Sequence, residues 1–280
     1  MKRLLTTLLS FLFFSLLGGA LLLAAPRLVA EWLPATALAP VSGPDLAGAG
    51  SGAEFTEITA PGLVAARRSE APADPGPNVV DHSLEFGESN RRWVSFDGSK
   101  PGQPAPVILL FHGSGRSGRD MIAPWQEIAK REGLVLIAPD AADSQGWSDN
   151  RDGAEFLNAV LSDAERLYPI DRSRIYLFGH SAGANMALAL AVRPPEGVRA
   201  IAVHAGALYA TSLPESTVPV RLYVGDQDHL FPLTQMRATA QLLASAGHPT
   251  DLVVIPGHDH WFYDAAPAIA ADAWTWFAAQ

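Results

Sequence analysis

Gly179-His180-Ser181-Ala182-Gly183 is the stretch of this 280-residue sequence best suited to covalent chemistry. The pattern G-x-S-x-G lies between an apolar run at 175–178 and a run of small residues at 184–191. That order predicts a sharp strand-to-helix turn with the Ser181 hydroxyl raised at its tip, and glycines where a Cβ would strike neighbouring backbone. A serine hydroxyl is almost un-ionised at neutral pH. It becomes a nucleophile only beside a base, and the base needs an acid to fix its tautomer and stabilise its cation. Two downstream segments supply both. Asp226 and Asp228 stand in Gly225-Asp226-Gln227-Asp228-His229-Leu230-Phe231-Pro232, and His258 and His260 stand in Pro256-Gly257-His258-Asp259-His260-Trp261. The fourth part is an electrophilic hole. Phe111-His112-Gly113-Ser114-Gly115 comes after an apolar run, and such a turn can aim a backbone N–H at a developing oxyanion, with the Ala182 N–H as second donor. Ser114 is favoured over Gly113 as the first donor, and His112 is read as structural.

The same side chains invite a metal reading, because Asp226, Asp228, His229, His258, Asp259 and His260 offer nitrogen and oxygen ligands. A metal site leaves the Gly-Ser-Gly turn unexplained, so neither metal nor cofactor is expected. The absence of Cys excludes a Cys nucleophile and thiolate zinc ligation. His82, His204 and His248 are expected to be satisfied or solvent-facing, and Asp149-Asn150-Arg151-Asp152 reads as loop and helix-cap chemistry.

The elements that must carry these groups alternate. Short apolar runs at 92–96, 107–111, 134–138, 175–178, 200–204, 220–224 and 252–255 are bounded by Gly, Pro or Asp and suit strands, most of them buried on both faces. Amphipathic stretches at 122–132, 154–168, 182–193, 234–246 and 266–277 suit helices. Strand and helix in alternation predict an α/β fold with a mostly parallel central sheet flanked by helices, whose ligand site lies beyond the carboxyl ends of the strands. The reactive segments above all begin at such ends.

The chain divides into three parts. Met1-Lys2-Arg3 and the apolar run 4–25 predict that 1–33 is a signal peptide or an N-terminal membrane anchor, with the remainder of the chain exported. Residues 34–80 are rich in Pro, Gly and Ala and are expected to be a linker, and 81–280 the folded domain. With 20 Lys and Arg against 29 Asp and Glu, the formal charge is −9, which argues against gripping nucleic-acid phosphates.

From about Leu84 onward, and most closely through Tyr168-Pro169-Ile170-Asp171-Arg172-Ser173-Arg174-Ile175-Tyr176-Leu177-Phe178-Gly179-His180-Ser181-Ala182-Gly183, the sequence resembles α/β-hydrolases of the polyhydroxybutyrate depolymerase and feruloyl esterase-like group. The resemblance implies the α/β-hydrolase fold, ester hydrolysis through an acyl-enzyme and no cofactor. It matches the group's acid, Gly-x-x-Asp with a Pro four residues on, to Asp228 rather than Asp226. It matches the base to His260, which directly precedes an aromatic, rather than His258. In an extended loop both histidines would face one way, so alternation does not separate them.

Only 205–219 separates two strands where this fold often inserts a cap, so no large cap domain is expected. An open groove lined by Trp147, Leu208, Tyr209, Phe231 and Trp261 suits a small-molecule or polymeric acyl or phenolic ester; Trp147 and Trp261 are the substrate-binding candidates. Arg116 and Arg119 are the cations near the hole. An envelope acyltransferase, a serine peptidase and a catalytically inactive binding protein are the alternatives on the same fold.

Overall fold

Residues 54–64 and 71–280 are described in a computed structural model, all within the unit Ser51–Gln280. The leader or anchor expected over 1–33 lies outside the described residues. The described strands are β1 (Thr56–Thr59), β2 (Val80–Phe86), β3 (Ser89–Asp97), β4 (Ala105–Phe111), β5 (Val135–Pro139), β6 (Ile170–His180), β7 (Val198–His204), β8 (Val220–Gly225) and β9 (Thr250–Ile255). They form one sheet in the order β1-β9-β8-β7-β6-β4-β5-β3-β2. Neighbours from β1 to β5 in that order pair parallel, while β3 runs antiparallel to β5 and β2 to β3. The α/β architecture read from the alternation is therefore the one observed.

The central strands are apolar throughout because both faces are covered. Along β4, Val107, Leu109 and Phe111 enter one core, and Ile108 and Leu110 enter the other. Each such side chain, fully withdrawn from water, stabilises the fold by about 1.5–3 kcal/mol. The covering helices are α1 (Gln126–Glu132), α2 (Ala154–Glu165), α3 (Ala182–Val192), α4 (Leu233–Ser245) and α5 (Phe262–Phe277). α2, α3 and α4 pack in the first core and α1 and α5 in the second. α1 ends where Gly133, at φ 83°, adopts the left-handed cap conformation.

The sheet claims part of the segment expected as linker. Thr56–Thr59 pairs parallel with β9, from Thr56 opposite Asp251 to Thr59 opposite Val254, and Ile58 and Leu63 pack on the second core. Glu57 receives both Arg237 Nε and Nη2, at 2.8 and 2.7 Å. Thr-Glu-Ile-Thr carries one apolar residue, too little for periodicity to register. Its strand identity comes from the backbone groups that the edge of β9 offers. Likewise β2 begins at Val80 and Val79 is buried, so ordered structure precedes Asp81.

The connection 205–219 between β7 and β8 contains no helix or strand. It is tied down by Ala207 N–H donating to Asn185 Oδ1 at 2.9 Å. The space above the carboxyl ends of β6 and β7 therefore carries no cap built from this connection.

Candidate active site

β6 delivers Ser181 directly. Its backbone sits at φ 55°, ψ −119°, a region non-glycine residues rarely occupy, at a cost of about 1–3 kcal/mol. The Ser181 N–H donates to His204 O at 3.0 Å and its carbonyl accepts from Asn185 N–H at 3.1 Å, so the strained turn is clamped from β7 and α3. The flanking glycines are steric necessities. A Cβ on Gly179 would lie 2.3 Å from Gly183 O, and one on Gly183 would lie 2.2 Å from Phe111 O and 2.6 Å from His112 O. All of these are backbone atoms that cannot swing aside. We expect Gly183→Ala to cost about 2–3 kcal/mol or more by prising α3 from β4, measured as a lowered urea midpoint.

Beyond β8, Asp228 is 3% exposed and its carboxylate is fully committed. Oδ1 accepts the Leu230 and Phe231 amides, each at 2.9 Å, and Oδ2 lies 2.9 Å from His260 Nδ1. His260 Nε2 lies 3.0 Å from Ser181 Oγ. Because an ionised carboxylate only accepts, Asp228 fixes the Nδ1–H tautomer and leaves Nε2 as the acceptor facing Ser181. Phe231 stacks on His260 at 5.6 Å between centroids, and the His180 ring lies 5.1 Å from it, so two rings pack against the imidazole.

The rival residues are employed otherwise. Asp226 Oδ1 accepts Gly257 N–H at 2.7 Å and Gln227 Nε2 at 3.1 Å, pinning the two loops together. His258 turns away from Ser181. The loop is not extended there: Gly257 adopts φ 73°, so the alternation assumed for the two histidines does not hold. Gly225 gives His258 its place, since a Cβ there would fall 1.9 Å from His258 O.

His258 completes an arrangement that residue spacing did not reveal. His180 Nδ1 meets His204 Nδ1 at 3.1 Å, and His204 Nε2 meets His258 Nε2 at 3.0 Å, with the three residues 5%, 0% and 4% exposed. Burial is the main cause lowering all three, well below the ordinary imidazole value at His180 and His204, where their mutual repulsion adds to it, and less at His258, where neighbouring carboxylates oppose it. A neutral ring has one N–H, so His204 donates to one neighbour and accepts from the other, and the N–H groups run in one direction along the chain. His180 and His204 are register partners on β6 and β7; that pairing was the signal available, had the strand order been known.

The turn after β4 faces Ser181. A Cβ on Gly113 would lie 3.4 Å from Ser181 Cβ. His112 Nδ1–H donates to Gly113 O at 2.8 Å while its Nε2 accepts Ala141 N–H at 3.0 Å, and burial keeps the ring neutral. The Arg116 amide also reaches Gly113 O, at 3.2 Å. In a trans peptide C=O and N–H point opposite ways, so holding this carbonyl also aims the Ser114 N–H, which belongs to the same peptide unit. Ala182 is the first residue of α3, where amides have no partner four residues back.

Trp147 leans on the turn, donating from Nε1 to His112 O at 2.9 Å. Its loop is anchored by Asp152, a fully buried residue rather than plain helix-cap chemistry. Asp152 pairs with Arg91 at 2.6 Å and accepts the Ala142 and Ser148 amides at 2.9 and 2.8 Å. Trp261, on the other flank, is next to His260 in the chain and packs edge-on to Tyr263 at 5.1 Å. Tyr209 and Leu230 are exposed.

A mostly parallel sheet with a serine lifted on the turn after its central strand, and an acid and a histidine returned from later strand ends, defines an α/β-hydrolase. The chain has the α/β-hydrolase fold. Residues 154–265 match the phospholipase/carboxylesterase family model. The chain is similar to feruloyl esterase C of Emericella nidulans, 28% identical over 120 residues that cover 40% of this chain and 44% of that one. It is also similar to the S-formylglutathione hydrolase of Rattus norvegicus, 24% identical over 163 residues covering 49% and 57%. The chain thus spans about half the length of these curated relatives. Among solved structures, an S-formylglutathione hydrolase from Agrobacterium tumefaciens superposes with a TM-score of 0.59 at 16% identity, over 71% of this chain and 93% of that one, a likeness of fold.

Proposed function

We propose that this protein hydrolyses carboxylic esters through an acyl-enzyme, with Ser181, His260 and Asp228 as a catalytic triad. The observation that carries the reading is the continuous contact from Ser181 Oγ through His260 to the buried carboxylate of Asp228, 3.0 and 2.9 Å, set on a strained turn. Ser181 Oγ attacks the ester carbonyl as His260 Nε2 takes its proton. The tetrahedral oxyanion is stabilised by the Ala182 and Ser114 amides. The C–O bond then breaks, and His260 returns the proton to the leaving alcohol. Water, deprotonated by the same imidazole, adds to the acyl carbon and releases acid and free serine. No step requires a metal or cofactor.

The relatives named feruloyl esterase C and S-formylglutathione hydrolase support acyl chemistry, and the apolar run after Lys2 and Arg3 supports action outside the cytoplasm. Trp147 and Trp261 on either flank suit an aromatic or acyl ester. A fluorophosphonate probe should label the protein stoichiometrically at Ser181, and a panel of p-nitrophenyl esters should be turned over. Absence of both would reject the reading and leave a binding protein of this fold. Asp228→Asn should lower kcat by about 10⁴-fold, because the amide can donate to the imidazole and select the wrong tautomer. Steady-state rates on p-nitrophenyl butyrate check this, and an unchanged kcat would remove Asp228 from the triad.

A further inference from the structure

We infer that Arg116 recognises a carboxylate carried by the substrate, so that the preferred esters are anionic; this rests on the ester-hydrolase reading above. Arg116 leaves the turn that faces Ser181, its amide bonded to Gly113 O. Its guanidinium carbon stands 5.3 Å from the Trp261 ring centroid and 5.7 Å from that of Tyr263. Trp261 adjoins His260 in the chain, and Tyr263 lies 6.0 Å from His180, which in turn touches His260. The charge is therefore carried on the flank of the reacting centre, half-buried, rather than out in solvent.

What distinguishes this arginine is that its charge is unspent. Among the described residues no carboxylate lies within 4 Å of it, whereas Arg119, the other cation expected near the hole, pairs with Asp81 at 3.5 Å and donates to Gly76 O at 3.0 Å. Asp120, the acid on the same segment, is occupied by the Ser117 amide at 2.9 Å and hydroxyl at 3.2 Å. Two aromatic faces fix the guanidinium without consuming its in-plane N–H groups. A fork of donors held on two aromatic rings, with no internal anion, matches a planar carboxylate better than it matches an alkyl chain. The aromatic lining alone suggests a neutral ester; the position of Arg116 changes that expectation.

The test compares pairs matched in carbon skeleton on the full chain. 4-Nitrophenyl hemiglutarate is set against 4-nitrophenyl pentanoate for a carboxylate on the acyl side, and 4-acetoxybenzoate against 4-methylphenyl acetate for one on the alcohol side. We expect kcat/KM to favour the anionic member of one pair by about tenfold or more, and the advantage to shrink as ionic strength rises. Arg116→Gln should collapse that ratio, and Arg116→Lys should restore only part of it, since a point charge lacks the fork. A preference in the first pair places the carboxylate on the acid side, and one in the second places it on the alcohol side. Turnover of the neutral esters with no anionic preference in either pair, or a preference that Arg116→Gln leaves intact, would overturn this inference alone. No turnover of any ester together with no fluorophosphonate labelling would overturn the hydrolase reading and this inference with it.

Discussion

Ser181→Ala should lower the hydrolysis of p-nitrophenyl butyrate by about 10⁴-fold or more, while the urea midpoint stays close to that of the parent protein. The two halves of this prediction have separate physical causes. On the proposed mechanism, removing Oγ removes the atom that would bond to the acyl carbon, and neither His260 nor the Ala182 and Ser114 amides could replace it. The fold barely notices the change. Alanine keeps the Cβ that already occupies φ 55°, so the strain of the turn is the same in both proteins, and the clamping bonds to His204 and Asn185 use backbone atoms only. The lost contact is the bond of Oγ to His260 Nε2 on a partly exposed imidazole, worth about 1 kcal/mol or less. Initial rates and urea denaturation on the same preparation decide the matter. Retained turnover would mean that another group is the nucleophile, and a collapsed midpoint would mean that Ser181 is needed for folding.

Acid should destabilise this protein steeply, beginning well above the pH at which carboxylates protonate. His180, His204 and His258 are held neutral in the folded state, burial being the first cause for each, and His112 on the oxyanion turn shares that direction. Once unfolded, each ring regains an ordinary value near 6.5. As pH falls below that value the unfolded chain takes up protons that the folded chain refuses, so stability falls with pH. The contribution is fully present above about pH 7 and is lost progressively below about pH 6.5. A fully refused proton adds a slope of up to about 1.4 kcal/mol per pH unit, and His180 and His204, held furthest below the ordinary value, contribute most. Against a typical total of about 5–15 kcal/mol, a drop from pH 7 to pH 5 removes a large share. Urea midpoints at a series of pH values measure it directly. A profile flat between pH 7 and pH 5 would show that the folded chain accepts protons on these rings. Asp171, lowered to about 2 by its Ser173 and Arg174 hydrogen bonds, acts in the same direction but only near and below its ordinary value of 3.8, which separates its effect from that of the histidines.

Much of the site was legible because its chemistry is written in neighbouring residues. The Gly179-His180-Ser181-Ala182-Gly183 turn needs small residues at fixed offsets, and the reasons are local: the distances from Gly179 to Gly183 O and from Gly183 to Phe111 O leave no room for a side chain. The central strands announce themselves by unbroken apolar runs, since helices cover both faces. β1 did not, because an edge strand of four residues with one apolar side chain draws its identity from a partner almost two hundred residues away.

By itself, then, the sequence determined the alternating α/β architecture, the position of the hydroxyl and the short list of acids and bases that come after later strands. Only the tertiary structure decided among near neighbours. Asp226 and Asp228 differ by two positions, yet one ties a loop to Gly257 and the other lies buried against His260. His258 and His260 diverge because Gly257 turns the backbone and Gly225 clears a place at the end of β8, which sends one ring inward to His204 and the other out to Ser181. The reason is general: local pattern fixes which residue types arrive at a strand end, while the direction each side chain faces depends on a few backbone angles and on contacts made by residues far apart in the chain.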